Sequence, residues 1–285
     1  MAEAVSGTPR RGGNAGVQTL RYVICIFAAI VVIFPIGIAL VGGLKTNANL
    51  LASPFGIPDP VQWRNYTDVL QSKSFWRQCW NSVFVMMSTT LLVLGLASTS
   101  AFVFARMPFK GRELLFTYFT LGLLFPATVA ILPLYILIRQ LGLVDTLWGI
   151  ILPQVAFALP VSILILRNFF VSIPGELEDA AYVDGASSLE FFLRILLPLA
   201  RPGLAAVAVL TMVASWNNFF LPLVVLNNEN KWTLPLGVMQ YQGQFGSDWG
   251  KILAFVSLAL TPAVIFYLFA ERQIIAGLTA GAVKG

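Results

Sequence analysis

The sequence predicts an all-α integral membrane protein with six transmembrane helices, and three observations carry that prediction. Of its 285 residues 58% are hydrophobic and 11% charged, far from the balance of a soluble domain, and the mean hydropathy is +0.81. Apolar runs at 20–44, 81–105, 114–138, 146–166, 204–226 and 252–270 each reach the roughly 20 residues that a helix needs to cross a bilayer. None of these runs has a charge at its centre.

Taken in order, residues 1–19 are rich in Gly, Ala and Arg and read as a disordered tail. The first run lacks the short apolar core and small-residue cleavage pattern of a signal peptide, so it stays as a helix. Pro35 and Gly37 within it are tolerated where neighbouring helices satisfy the freed carbonyls. Residues 45–78 form the longest connection, broken by Pro54, Pro58 and Pro60 and carrying Trp63, Tyr66, Phe75 and Trp76. That pattern fits an aromatic belt at the headgroups and equally a platform for an external partner.

The connection 106–113 holds Arg106, Lys110 and Arg112, whereas 139–145 offers a single arginine. A short, cation-dense loop belongs in the cytoplasm, which puts both termini and the segment 173–202 inside and residues 45–78 and 227–250 outside. The second outer loop carries Trp232, Tyr241, Phe245 and Trp249 among amides and glycines. Such groups stack and hydrogen-bond with sugars and are also ordinary at a membrane interface.

Several chemistries are excluded. There is no histidine, which removes a Ser-His-Asp triad, and Cys25 and Cys79 have neither metal-site nor disulfide spacing. No G-x-x-x-x-G-K-[ST] string exists; GSDWGK at 246–251 has the wrong spacing. With no carboxylate inside the spans, a proton-driven transporter lacks its usual device, so energy must come from a separate ATPase. The net charge of +5 marks cytoplasmic loops rather than a nucleic-acid partner. Ser88, Thr89, Thr90, Ser98, Thr99 and Ser100 in the second run read as helix-packing residues. In the fifth run Trp216, Asn217 and Asn218 are candidates for a solute path, since amides are costly to leave facing lipid.

The segment 173–202 is a charged island between spans. Pro174 suits a first helical turn, and Glu176, Glu178 and Asp179 follow where the helix dipole favours negative charge. Leu177, Ala180 and Ala181 fall on one face, and the two alanines would let another protein approach the backbone. Gly185 stands where a helix end wants positive φ, and Ser187 with Glu190 forms a capping box for a second helix. That helix carries Phe191, Phe192, Ile195 and Leu196 before Pro198 and Pro202, and is expected to lie along the membrane surface. The plainer alternative is an amphipathic surface connection with no partner.

Asp179, Ala180, Ala181, Gly185, Ile195, Leu197 and Pro198 stand at the spacing of the EAA loop, so the segment resembles that of permease subunits in binding-protein-dependent ATP-binding-cassette importers. Asp179 replaces the family's glutamate and shortens its reach by one methylene, with Glu178 beside it to take its place. The strings AFVFARMPFKGRE, LPLYILIRQLGLVDT, WNNFFLPLVVL and ERQIIAGLTAGAVKG extend the resemblance to the maltose-type group of sugar-importer permeases. It implies a type I importer permease fold spanning residues 20–272, paired with a second permease and two cytosolic ATPase subunits that bind the ATP and Mg. An external solute-binding protein would deliver a mono- or oligosaccharide. This chain then binds no cofactor and does no covalent chemistry. The resemblance assigns ATPase coupling to Glu176, Leu177, Glu178, Asp179, Ala180, Ala181, Asp184, Gly185, Ala186, Ile195, Leu197 and Pro198, and contacts with the ATPases to the tail 273–285. A transporter or channel working alone, and a membrane-bound enzyme, remain the alternatives from other classes.

Overall fold

The computed structural model describes residues 15–243 and 246–280, with residues 15 and 266–280 described by their backbone alone. The bulk of the predicted tail 1–19, the aromatic Phe245 and the last residues of the tail 273–285 lie outside the described residues.

Helix α1 (Ala15–Gly42) is followed by the short α2 (Asn47–Ala52) and α3 (Arg64–Gln71), then by α4 (Lys73–Arg106). Next come α5 (Arg112–Leu121), α6 (Ile131–Gln140) and α7 (Trp148–Ser172). The charged island forms α8 (Glu176–Val183), α9 (Ser188–Phe191), a π-turn (Phe192–Leu196) and α10 (Leu197–Leu199). The chain ends with α11 (Arg201–Trp216), α12 (Phe220–Val225), α13 (Leu234–Gly237), a hairpin of β1 (Gln242–Gly243) and β2 (Gly246–Ser247), and α14 (Trp249–Ala280). The hairpin is a small departure from an all-helical reading.

The centre is the pairing of α4 with α7, crossed by α11. On α4, Val93, Ala97 and Ala101 repeat every four residues and are all fully buried, a small-residue stripe that lets the helices approach. Against it lie Ile150, Ile163, Leu166 and Phe170 of α7 and Val207 of α11, all in one core cluster. Hydrocarbon offers no penalty for exposed apolar groups, so this close packing, rather than escape from water, holds the bundle. Helix α1 packs chiefly on α14 and is otherwise exposed along its length.

Among the described residues three helices are long and apolar enough to cross a membrane by length and composition: 16–42, Lys73–Arg106 and Trp148–Ser172. Two of the predicted runs are broken. The third separates into α5 and α6 because Pro126 disfavours a helical residue before it, and Phe125 is extended at φ −87°, ψ 111°. The fifth separates into α11 and α12 because Pro222, in a continuous helix, would lack its N–H and press on the carbonyl of Asn218. Upstream, α9–α10 meets α11 at a bend of 75°, where Ala200 sits between Pro198 and Pro202.

Lys45, read from sequence as an outer-loop cation, is fully buried. Its ammonium donates to the carbonyls of Ser53 (2.8 Å) and Pro54 (3.0 Å), tying the end of α1 to the loop after α2.

In a separate connection Asp145, at φ 55°, gathers the loop after α12. Its Oδ1 accepts from Asn227 N–H (3.0 Å) and Asn228 N–H (2.9 Å), and Oδ2 accepts from Lys231 Nζ (2.8 Å). The Lys231 hydrogen bond first, and the Asn228 amide second, hold the carboxyl below the usual aspartate range. A carboxylate depressed in the fold contributes stability that is present above its unfolded pKa and is lost as pH falls through the folded value. Hydrogen-exchange protection of the Asn227 and Asn228 amides is therefore expected to hold at neutral pH and collapse only below the ordinary carboxylate range. Asp145→Asn is expected to flatten that pH dependence; an unchanged acid step in the variant would assign it to another group.

Candidate functional site

The charged island is built on two local stops. Helix α8 ends in a Schellman motif: Gly185 N–H donates to Tyr182 O (3.1 Å) and Ala186 N–H to Ala181 O (2.9 Å), with Gly185 at φ +84°. Two residues on, Ser187 Oγ accepts from Glu190 N–H (3.3 Å) and Glu190 Oε2 accepts from Ser187 N–H (3.0 Å), the reciprocal capping box that the spacing predicts.

The face expected to dock is rotated. Ala181 is 5% exposed and belongs to the chain's own core cluster, whereas Leu177 and Ala180 are exposed. Val183 is 87% exposed and extends that outward stripe, with Glu176, Asp179 and Asp184 exposed around it. The correction has a simple cause: α8 rests on α9, and the position four after Leu177 is the one turned into the core cluster. A period alone does not say which side of a short helix the tertiary fold covers.

Asp179 is exposed, while Glu178 faces inward. Its Oε2 lies 3.5 Å from Arg106 Nη1, with the two side chains only 15% and 10% exposed, and its Oε1 accepts from Tyr182 OH (2.9 Å). Arg106 Nη2 in turn donates to the carbonyls of Phe170 and Ile173, both at 2.6 Å. One guanidinium thus pins α8 to the ends of α4 and α7, using the rigid fork that only arginine offers. Asp179 has no ion-pair partner among the described residues.

The second helix of the island turns one face into the bundle and leaves Leu193 and Leu199 exposed. Phe191, Phe192 and Leu196 are buried in the core, and Phe192 packs on Phe102 at 4.9 Å between ring centroids. Ile195 and Leu197 pack against the same cluster, while Pro198 is exposed. Because Pro198 has no N–H to give, the helix loosens before it, and Leu197 N–H reaches back to Phe192 O to make the π-turn.

Inside the bundle, a cavity of about 470 Å³ lies among α4, α6, α7, α11 and α12. Both helix breaks open onto it: Ala127 and Thr128 from the first, Asn217, Asn218 and Phe219 from the second. Irregular backbone at membrane depth is tolerated where it lines a cavity. Each asparagine also finishes a helix end, Asn217 Nδ2 donating to Val213 O (2.9 Å) and Asn218 Oδ1 accepting from Leu221 N–H (3.4 Å). Trp216, grouped with them in the sequence, points elsewhere and packs against the cluster of Val69, Phe75, Leu234 and Phe255.

Gln154 of α7 was not foreseen. It lines the cavity at 8% exposure, and both its amide atoms, together with Thr89 Oγ1 and Ser215 Oγ, have no hydrogen-bond partner among the described residues. Each such group costs about 1–3 kcal/mol. The only signal in the sequence was a lone amide within the fourth run.

The described residues thus form a helical bundle with two interrupted helices around a central cavity, and a capped helical hook clamped to the ends of two long helices. The family of binding-protein-dependent transport system inner membrane components matches residues 92–274, and the chain belongs to it. It is 32% identical over 286 residues to the diacetylchitobiose uptake system permease protein NgcG of Streptomyces coelicolor, covering 100% of this chain and 93% of that one. It is 33% identical to the arabinooligosaccharides transport system permease protein AraQ of Bacillus subtilis, covering 89% of this chain and 91% of that one. Its fold matches a chain of the crystal structure of a bacterial ABC transporter involved in the import of the acidic polysaccharide alginate, with a TM-score of 0.79 at 23% identity over 93% of this chain and 99% of the other. The protein is thus a transport component of the inner membrane type, not an enzyme.

Proposed function

We propose that this chain is one of two permease subunits of an ATP-driven carbohydrate importer, crossing the membrane six times with both termini in the cytoplasm. The names of the relatives support a saccharide cargo, and the cation-dense loop 106–113 supports the orientation. A binding protein delivers the sugar outside; two cytosolic ATPase subunits, which hold the ATP and Mg, dock on the island 176–186.

The observation that carries the coupling role is the clamp. Leu177, Ala180 and Val183 form a stripe open to a partner, while Arg106 fastens the same short helix to α4 and α7, whose inner faces line the cavity. Closure of the ATPase pair moves α8, and the clamp passes that displacement to the helices around the path. Ile195, Leu197 and Pro198 serve as the hinge between the island and α11.

Co-expression with the partner permease, ATPase and binding protein is expected to give ATP hydrolysis that rises with sugar-loaded binding protein, and the purified chain alone is expected to give none. In a background without Cys25 and Cys79, single cysteines at Ser74 and Ser187 are expected to label from opposite sides of the membrane. Uptake by the chain alone driven by a proton gradient, or labelling of Ser187→Cys from outside, would overturn the proposal.

A further inference from the structure

The cavity between the two helix breaks has features that a packing defect does not require. Its polar side chains include Thr89, Gln154 and Ser215, each at least nine-tenths buried and each with polar atoms left unpartnered. Its other walls are apolar and aromatic, with Phe157, Phe219 and Phe220. No residue lining it is charged, although the chain as a whole carries +5.

Pockets of ~300–1,000 Å³ with aromatic walls and a few convergent polar groups are the usual form of small-molecule sites. A ligand for this one must supply both donors and acceptors, because the Gln154 amide needs each and the two hydroxyls accept or donate. It must also present apolar surface to the phenyl rings. An anion would enter without a countercharge and lose its hydration unrewarded. Pyranose and furanose rings meet all three demands: hydroxyls at the rim, C–H faces above and below, no charge.

We propose that this subunit itself holds a binding subsite for one or two rings of a neutral saccharide, with Gln154 as its central hydrogen-bonding residue, and that the subsite discriminates against acidic sugars. The inference rests on the reading of the chain as a carbohydrate permease and adds to it where the sugar is held and which charge class passes. The two breaks give it an opening: of the residues that line it, Thr128, Asn217 and Phe220 are exposed.

The test uses the full complex, co-expressed with its partners and reconstituted, in a Cys25→Ser, Cys79→Ser background with Thr128→Cys as reporter. The complex is arrested with ATP and vanadate after loading with trehalose, diacetylchitobiose, arabinotriose or an acidic alginate trisaccharide, and modification of the reporter by a small neutral thiol reagent is timed. At least one neutral probe that the complex takes up is expected to slow modification by about tenfold, the weight of one well-made buried hydrogen bond, and the acidic probe to leave it unchanged. Gln154→Leu is expected to remove the protection and raise the KM for uptake of that probe, and Gln154→Asn to restore part of both. Uptake of a neutral probe without protection, protection that survives Gln154→Leu, or equal protection by the acidic probe would overturn the subsite while leaving the importer reading intact. Uptake of the acidic probe and of no neutral one would likewise overturn the subsite and leave the importer reading intact, whereas uptake that does not depend on the ATPase subunits would overturn that reading.

Discussion

Arg106→Ala is expected to leave the protein in the membrane but to reduce sugar uptake by the assembled complex by about a hundredfold or more, with ATP hydrolysis no longer responding to the loaded binding protein. The size of the effect follows from what the side chain does. It is the only described cation against Glu178, and its removal leaves that carboxylate largely enclosed and unpaired. Breaking such a pair costs ~3–5 kcal/mol when burial is complete; the residual exposure of 10% and 15% argues for the lower end. The 2.6 Å bonds to Phe170 and Ile173 vanish together with it, so α8 loses its hold on α4 and α7 at once. Arg106→Lys should rescue little, because a single ammonium cannot reach two carbonyls and a carboxylate in a planar fork. Glu178→Gln should be milder, since the Tyr182 hydroxyl still has an oxygen to bond. Wild-type uptake in Arg106→Ala would show that displacement of α8 reaches the path by another route.

Gly185→Val is expected to act on the same link by a different physics. A Cβ at Gly185 would meet nothing within 4 Å, so crowding plays no part. The penalty is the backbone's: φ +84° costs an L-residue ~1–2 kcal/mol, and a β-branched side chain more. The cheapest relief is to unwind the Schellman turn and swing the Leu177, Ala180 and Val183 stripe out of place. Co-purification of the ATPase should then fall in the order Gly, Asn, Ala, Val at this position, tracking tolerance of the left-handed region rather than side-chain volume. An order that follows volume would mean that the turn packs against a partner. Ala181→Glu, by contrast, should damage the bundle itself, because that methyl lies in the core.

What the sequence made readable was local. A capping box, a helix stop and an apolar run are each decided by residues within a few positions of one another, and Ser187, Glu190, Gly185 and the run 81–105 behave as their neighbourhood dictates. What it hid was tertiary. Ala181 and Val183 exchange roles because of what α8 leans against, and Trp216 turns away from Asn217 because the second apolar cluster offers its ring more contact. Lys45 is buried because two carbonyls from a loop close over it. Two signals do stand in the sequence: Pro126 and Pro222 lie inside runs whose hydropathy alone describes unbroken helices, and Gln154 is an amide in an otherwise apolar stretch.

The Arg106 clamp separates two kinds of charge in this protein by their response to ionic strength. At 0.1 M salt the Debye length is ~10 Å, and exposed pairs such as Arg194–Glu190 and Arg64–Asp68 are open to that screening. Arg106, held by two neutral carbonyls and one enclosed carboxylate, is shielded from counterions. A salt titration should therefore loosen the surface of the island and the encounter with its partners well before it touches the joint between α8 and the bundle. Transport lost at high salt would be a failure of meeting, with the joint itself still intact.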